Sequence, residues 1–133
     1  MSVLEELGAY LVGQNVSVGL GTDLFLGARP DTPDNCLTLY EYPGGGRPEY
    51  VQEKSTPDIE MALIQVVGRG RTYQDTRALV KLAWVALTRV FNLTLSGIRY
   101  RSILVNGSPG LLGRDSNNLY LVAFNATVDK EVS

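Results

Sequence analysis

The sequence predicts an α+β fold: a mostly antiparallel, mixed β-sheet with two helices packed on one face. The chain has 133 residues, the usual size of a single domain, so we expect one domain over 1–133. Its hydrophobic fraction of 44% suffices for a packed core. Two segments show helical spacing of apolar residues, and the strand-like segments occur in blocks. The predicted order is therefore α-β-β-β-α-β-β.

The first predicted helix runs from about Ser2 to about Gln14. Ser2 and Glu5, three residues later, have the spacing of a capping box, in which each residue satisfies a backbone N–H of the other. Three leucines then share one helical face: Leu4, Leu7 and Leu11. Because Glu5 and Glu6 lie off this stripe, we expect both carboxylates to point away from the core.

Three strands are predicted next. The first is a short strand at Leu24–Leu26, and residues 27–35 (GARPDTPDN) have the composition of a fixed loop. The segment Cys36–Tyr42 alternates apolar and polar residues, which predicts a strand with one buried face. The segment Ile59–Arg69 is almost continuously apolar and predicts a central strand. Between them, residues 43–58 are the least core-like, and we expect an extended loop or hairpin there.

The second predicted helix runs from about Tyr73 to about Phe91. Its apolar residues span an arc of roughly 200°, whereas a surface helix needs little more than about 100°. This excess predicts a helix that is sandwiched within the fold or shared with a neighbouring subunit. A strand near Tyr100–Val105, a loop over 111–118 (LLGRDSNN) and an alternating strand at Leu119–Val128 complete the predicted fold.

Charge is unevenly distributed along the chain. Residues 1–60 contain three bases and ten acids, and residues 61–101 contain seven bases and one acid, although the whole chain carries a net charge of −2. Such segregation is typical of a nucleic-acid patch or of complementary faces that meet in self-assembly. The two halves can also neutralise each other inside one fold. A chain that is acidic overall favours protein contacts, because DNA-binding domains are usually basic.

Catalytic and metal-binding signatures are missing from the sequence. The chain has no histidine and a single cysteine, Cys36, so it offers no Ser-His or Cys-His pair and no Cys/His zinc set. The segment GLGTDL (19–24) lacks the third glycine of a dinucleotide fingerprint and predicts a turn. No apolar stretch approaches the roughly 18 residues of a membrane helix, and acids near the N-terminus argue against an export signal. We predict no catalytic residue, cofactor or metal site.

Two segments resemble a known family. They are GTDLFLGARPDTPDNCLTLYEYPG (21–44) and SPGLLGRDSNN (108–118), the latter leading into the last alternating strand. Together with the two predicted helices, they resemble the tail terminator or minor capsid proteins of long-tailed bacteriophages. The resemblance covers nearly the whole chain and is weakest at 43–58. Its most specific parts are Pro30–Asn35 and Gly113-Arg114-Asp115, which are structural rather than catalytic features.

The resemblance implies a non-enzymatic virion protein that forms a ring, a hexamer in related phages. Such a ring caps the tail tube, stops its polymerisation and provides the surface on which the head docks. The implied partners are other copies of the chain, the tail tube protein and a head-completion or connector protein. DNA would pass through the lumen without specific binding, and neither a cofactor nor a membrane is implied. The implied location is the head-proximal end of the tail, and the host cytoplasm during assembly.

We expect the second helix and an edge of the sheet to form the ring. Trp84 and Phe91 are candidate apolar anchors, and four arginines are candidates for pairing with acids from residues 1–60 of the neighbour. The predicted interface residues are Arg69, Arg71, Trp84, Phe91, Arg99 and Arg101. The 43–58, PDTPDN and GRDSNN loops are expected to face the tube or the head.

Two other functions remain open at the level of sequence. One is a different head- or tail-completion protein at the neck, which would bind the portal complex rather than the tube. The other is a small nucleic-acid-binding module that uses the basic stretch 61–101, and whose DNA affinity would fall steeply with salt. An enzyme is a weaker third interpretation, because no pair of carboxylates or lysines is placed convincingly for catalysis.

Overall fold

The computed structural model describes residues 1–43 and 59–132, and this part contains two helices and seven strands. The predicted α+β class is confirmed. The predicted loop or hairpin at 43–58 lies, from residue 44 on, outside the described residues. In chain order the elements are α1 (Val3–Gly13), β1 (Leu24–Leu26), β2 (Cys36–Tyr42), β3 (Ile59–Gly70), α2 (Tyr73–Thr88), β4 (Phe91–Leu95), β5 (Ile98–Val105), β6 (Gly110–Arg114) and β7 (Tyr120–Glu131).

The strands form one mixed sheet in the order β1-β2-β3-β7-β5-β4, and β6 also pairs with β7. Strand β1 runs parallel to β2, and every other pair is antiparallel. Strands β3 and β7 pair from Ile59↔Glu131 to Gly70↔Tyr120. Because β3 occupies one edge of β7 along its whole length, β5 and β6 lie one after the other along the opposite edge.

Two strands were not predicted. Helix α2 ends at Thr88, and Phe91, expected as its last residue, instead begins β4. The apolar spacing continues past Thr88, but β4 pairs with β5 through a two-residue turn at Ser96 and Gly97, both with positive φ. Such turns match the twist of a hairpin, so pairing with β5 prevails over extension of the helix. Strand β6 forms within the predicted loop because β7 offers it a free edge.

Both helices pack on one face of the sheet, as predicted. Helix α2 lies over β3, β7 and β5, whereas α1 contacts β1 and β2 and also β4, which belongs to the opposite edge. The sheet therefore curves around α1. Close packing of α2 depends on glycine at position 68 of β3, because a Cβ there would collide with the side chain of Val80.

A buried charged cluster joins α1 to the middle of the sheet. Glu6 was expected to point away from the core, and this prediction is wrong: its side chain is 1% exposed. The Tyr100 hydroxyl donates to Glu6 Oε1 at 2.7 Å, and the fully buried Lys130 Nζ lies 3.0 Å from the same oxygen. Lys130 Nζ also donates to Glu60 Oε1 at 2.8 Å. The physical reason is that the curved sheet encloses α1 on more than its leucine stripe.

The tyrosine in this cluster stays protonated. Burial raises the pKa of Tyr100, and its hydrogen bond to Glu6 acts in the same direction. The phenol therefore remains a donor to the carboxylate. A buried ion pair adds little net stability compared with apolar residues, but removing one partner leaves an uncompensated charge in a medium of low dielectric constant. Loss of any one of these side chains would therefore weaken the attachment of α1 to the sheet.

A second polar cluster lies at the other end of β3. Arg69 is 3% exposed, and its guanidinium donates from Nη2 to the Pro33 carbonyl at 2.6 Å and from Nε to the Asp34 carbonyl at 3.2 Å. Its Nη1 lies 3.8 Å from Asp115 Oδ2. Asp115 also accepts the Leu119 backbone N–H at 3.0 Å. Arg69 therefore joins the loop before β2 and the loop before β7 to the central strand.

Lys130→Met should lower the free energy of unfolding by about 3–5 kcal/mol, because Glu6 is left buried without its cation. Urea unfolding followed by circular dichroism measures this loss. The matched control is Lys81→Met at an exposed position of α2, where we expect a change of about 0.5 kcal/mol or less. In a double-mutant cycle with Glu6→Gln the two losses should be less than additive. Strict additivity would contradict a shared cluster.

Stability should also depend on Asp115 in a pH-dependent way. The pKa of the Asp115 carboxyl is lowered mainly because it accepts the hydrogen bond of the Leu119 N–H. The carboxylate therefore stabilises the folded state at pH values above its unfolded-state pKa of about 3.9, and this stabilisation is lost as the pH falls through the folded-state pKa. We therefore expect Asp115→Asn to destabilise the protein at neutral pH, and the difference from the wild type to shrink below about pH 4. Asp31→Asn, at an exposed position, is the control in the same denaturation series. A difference that is constant with pH would refute the assignment.

Candidate functional site

The two arginines of the Arg69-Gly-Arg71 motif are used within the chain. Arg69 is buried, and its polar contacts hold two loops, so the surface proposed below does not include it. Arg71 is exposed, and its Nε donates to Asp34 Oδ2 at 2.8 Å. Both arginines thus have acidic partners within their own subunit, whereas the sequence predicts pairing with acids of a neighbouring subunit. An exposed pair of this kind contributes only ~0–1 kcal/mol, so Arg71 remains accessible at the surface.

Trp84 is half-buried rather than a free surface anchor. Its ring packs against the core, and its Nε1–H donates to the Gly107 carbonyl at 2.9 Å. This bond connects α2 to the turn between β5 and β6. Tryptophan at such a position satisfies its only polar group and leaves part of the ring at the surface. Contacts within the chain are therefore enough to explain the position of Trp84.

The remaining three predicted residues come together at one edge of the sheet. Phe91, the first residue of β4, is 77% exposed. Arg99 and Arg101 of the neighbouring strand β5 line a surface hollow of about 310 Å³ beside its ring. Arg99 Nε donates to Asn92 Oδ1 at 2.7 Å, and Arg101 Nε lies 3.8 Å from Asp129 Oδ1. We call this region, Phe91, Asn92, Arg99 and Arg101, the β4 edge surface.

The backbone of the β4 edge surface is irregular. Asn92 has φ of +51°, and the register of β5 against β7 shifts between Tyr100 and Ser102, so that Arg101 lies at a bulge. Bulges at a sheet edge redirect side chains away from regular pairing. In the described part of the chain β4 has a strand partner on one side only. The surface therefore combines free backbone groups, a large apolar ring and two cations, which suits contact with another protein.

Two exposed acids lie toward the opposite side of the sheet, where β1 is the outermost strand. Asp31 lies in the loop between β1 and β2, and Glu41 lies on β2; both are exposed. Within residues 1–43 and 59–132 neither carboxylate takes part in an ion pair. Because β2 lies next to the edge strand β1 and β4 is the edge strand on the other side, these two acids lie far in the sheet order from Arg99 and Arg101.

The described residues offer little for catalysis or metal binding. No three acidic or sulfur-bearing side chains in this part come close enough to hold a metal ion. Cys36 is buried in β2, and burial raises the pKa of its thiol, which keeps it in the unreactive protonated form. Among the same residues, no helix is long and apolar enough to span a membrane.

The outer side of α2, which the sequence predicts to be sandwiched or shared with a neighbouring subunit, is partly open. Leu82 belongs to the apolar arc of this helix, yet its side chain is 55% exposed, whereas Val80, Ala83 and Leu87 are in the core. The excess apolar surface on α2 is therefore partly an open surface. The helical spacing indicates that α2 has more apolar surface than one contact needs. It does not indicate which part of the arc packs on the sheet and which part stays exposed.

Comparison with known proteins adds independent findings. The model of a family described as "Bacteriophage tail terminator protein" matches residues 11–132. A chain from the solved virion of a native gene transfer agent particle aligns with a TM-score of 0.58 and 15% identity, over 98% of this chain and 96% of that one. A second solved structure, which carries no functional description, aligns with a TM-score of 0.53 and 16% identity, over 97% and 90%. No curated protein sequence matches significantly.

These findings differ in what they establish. At 15–16% identity the two structural likenesses show a shared fold and nothing finer. The family match spans all seven strands, both polar clusters except Glu6, and the β4 edge surface. The predicted resemblance is thereby confirmed, and the chain belongs to the bacteriophage tail terminator protein family.

Proposed function

We propose that this chain is the subunit of a homo-oligomeric ring, of hexamer size, that caps the head-proximal end of a phage tail tube. Family membership makes it a structural protein of a phage-type virion. The finer assignment includes assembly in the host cytoplasm, contact with the tube protein on one side of the ring, and contact with a head-completion or connector protein on the other. We assign it no catalytic role.

In this proposal the tube stops growing because the two sides of the ring differ. Tube subunits stack because each exposed end repeats the same docking surface. A ring that matches this surface on one side and presents another surface on the other side ends the series, since further tube subunits find no complementary site. DNA passes through the lumen in this scheme, so residues lining the lumen bind phosphates weakly at most.

The observation that best supports a ring is the placement of two exposed acids toward one side of the sheet and of two arginines and an exposed phenyl ring toward the other. The β4 edge surface presents Phe91 with Arg99 and Arg101, and the β2 side presents Asp31 and Glu41. A contact between different surfaces of identical subunits is heterologous, and it closes into a ring when the rotation per subunit divides a full turn. Complementary charges fix the orientation, and the phenyl ring supplies the apolar area.

Phe91→Ser should abolish rings while leaving the fold intact, because an exposed side chain contributes little to the monomer core. Size-exclusion chromatography with light scattering and negative-stain electron microscopy measure the loss. Leu112→Ser on β6, at 58% exposure, is the matched control and should leave the rings unchanged. Rings that persist in Phe91→Ser would exclude this residue from the contact.

Charge reversal tests the pairing directly. Arg99→Glu with Arg101→Glu should prevent ring closure, and adding Asp31→Lys with Glu41→Lys in the same chain should restore it, because both sides of each contact are then reversed. Oligomer mass at low and high salt is the readout, since screening weakens such contacts. Failure of the fourfold variant to recover rings, with its circular dichroism unchanged, would exclude pairing between these two edges.

A separate experiment addresses the cap itself. Purified protein added to polymerising tube protein of the same phage should shorten the tubes and appear at one end only, because just one side of the ring matches the tube. Electron microscopy with an affinity label on the chain shows the position. Unchanged tube lengths, together with binding to the purified portal complex, would support the neck-completion interpretation instead.

A further inference from the structure

A groove of about 470 Å³ lies between the C-terminal end of α1 and the outer side of α2. Its apolar lining comes from Val16, just after α1, and from four residues of α2, Ala78, Leu82, Val85 and Ala86. Leu82 is 55% exposed although it lies among apolar neighbours. The groove thus offers a concave surface with an aliphatic lining, a shape that can receive apolar side chains of another molecule.

The walls of the groove are held together. The Tyr10 hydroxyl of α1 donates to the carbonyl of Ala86, a lining residue of α2, at 2.8 Å. Burial raises the pKa of Tyr10, so the hydroxyl keeps the proton that makes this bond. The groove is thus formed in the free protein, and a ligand does not have to separate the two helices to enter it.

Cations border the apolar lining. Lys81 and Arg89 both line the groove, and Arg77 lies one turn before Lys81 on the same side of α2. None of these three has a carboxylate within ion-pair distance among the residues that the structure describes, whereas Arg71 and Arg101 each have one. Arg77 and Lys81 are neighbours one turn apart on the helix, and Arg89 follows the last residue of the helix at the same end of the groove as Ala86.

From this arrangement we propose that the groove binds an acidic segment of another protein, with apolar side chains on the groove floor and carboxylates at Lys81 and Arg89. Peptide segments that bind in grooves between helices are recognised in this way, by apolar anchors at helical spacing and by charge at the rim. The proposal concerns α2 and α1, and it does not require ring formation through the β4 edge surface.

Nucleic acid fits the same cations less well. Phosphate contacts need no aliphatic floor, and the groove has no aromatic side chain on which a base could stack. The chain as a whole carries a net charge of −2, which opposes a general attraction of DNA. A second copy of the chain is the other possible occupant, and the experiment separates it from a foreign segment.

The probe is a fluorescently labelled synthetic peptide with leucines and glutamates at helical spacing, measured by fluorescence anisotropy with the full-length protein. We expect saturable binding that weakens with salt, and no binding of a control peptide in which lysine replaces every glutamate. Leu82→Ser should weaken binding about tenfold. Leu112→Ser, an exposed leucine on β6, should leave it unchanged.

The double variant Lys81→Glu with Arg89→Glu should abolish binding of the acidic peptide and produce binding of the lysine peptide. Both positions are exposed, so the fold should be retained, and circular dichroism checks this. The measurement is repeated in Phe91→Ser, which lacks the proposed ring contact. Equal binding there shows that the groove functions in the subunit itself and keeps the two proposals separate.

Three results would overturn the proposal. One is peptide binding that is absent, or equally strong in Leu82→Ser and Leu112→Ser. Another is a DNA duplex that binds the protein and loses its affinity in the double variant, which would assign the cations to phosphates. The third is a concentration-dependent rise in native mass that Leu82→Ser removes and Phe91→Ser does not, which would identify the occupant as a second copy.

Discussion

The ion pair between Lys130 and Glu6 is the interaction on which the rest of the structure depends. These residues come from the last strand and the first helix, and both are almost completely buried. A desolvated charge without its partner is strongly unfavourable, so α1 has one acceptable position relative to β7. With α1 in place, the sheet curves around it, and its C-terminal end forms one wall of the groove on α2.

The central strand β3 is held by charge at both ends. Near its start, Glu60 accepts a hydrogen bond from Lys130, and near its end Arg69 binds two loop carbonyls and lies beside Asp115. Lys130 and Asp115 lie outside the two segments that carry the charge asymmetry, and among the described residues it is Arg71 with Asp34 that pairs a base of 61–101 with an acid of 1–60. Exposed cations among the described residues include Lys81 of α2, Arg89 just after it, and Arg99 and Arg101 of β5. The proposed contacts are built from those exposed cations.

The predicted site was only partly accessible to sequence reasoning. Phe91, Arg99 and Arg101 lie together because a hairpin brings β4 beside β5, although the prediction placed Phe91 on a helix. Arg69 shares the charge and neighbourhood of Arg71 in sequence, but Arg69 lies within β3 and contacts the loops before β2 and β7, whereas Arg71 follows the end of the strand and is exposed. Local composition does not distinguish these two cases, because the loop carbonyls that bind Arg69 lie more than thirty positions earlier in the chain.

By itself the sequence determined the features that depend on near neighbours. These are the capping box at Ser2, the apolar run of β3 and the amphipathic character of α2, and with them the α+β class. The prediction of one buried face for β2 is wrong, because Cys36–Leu39 are all buried and both faces of the strand are covered there. The tertiary structure alone decided which charges are buried and where β4 and β6 form. The reason is physical: the burial of Glu6 requires an ammonium group 124 positions away, and an edge strand exists only where another strand leaves an edge free.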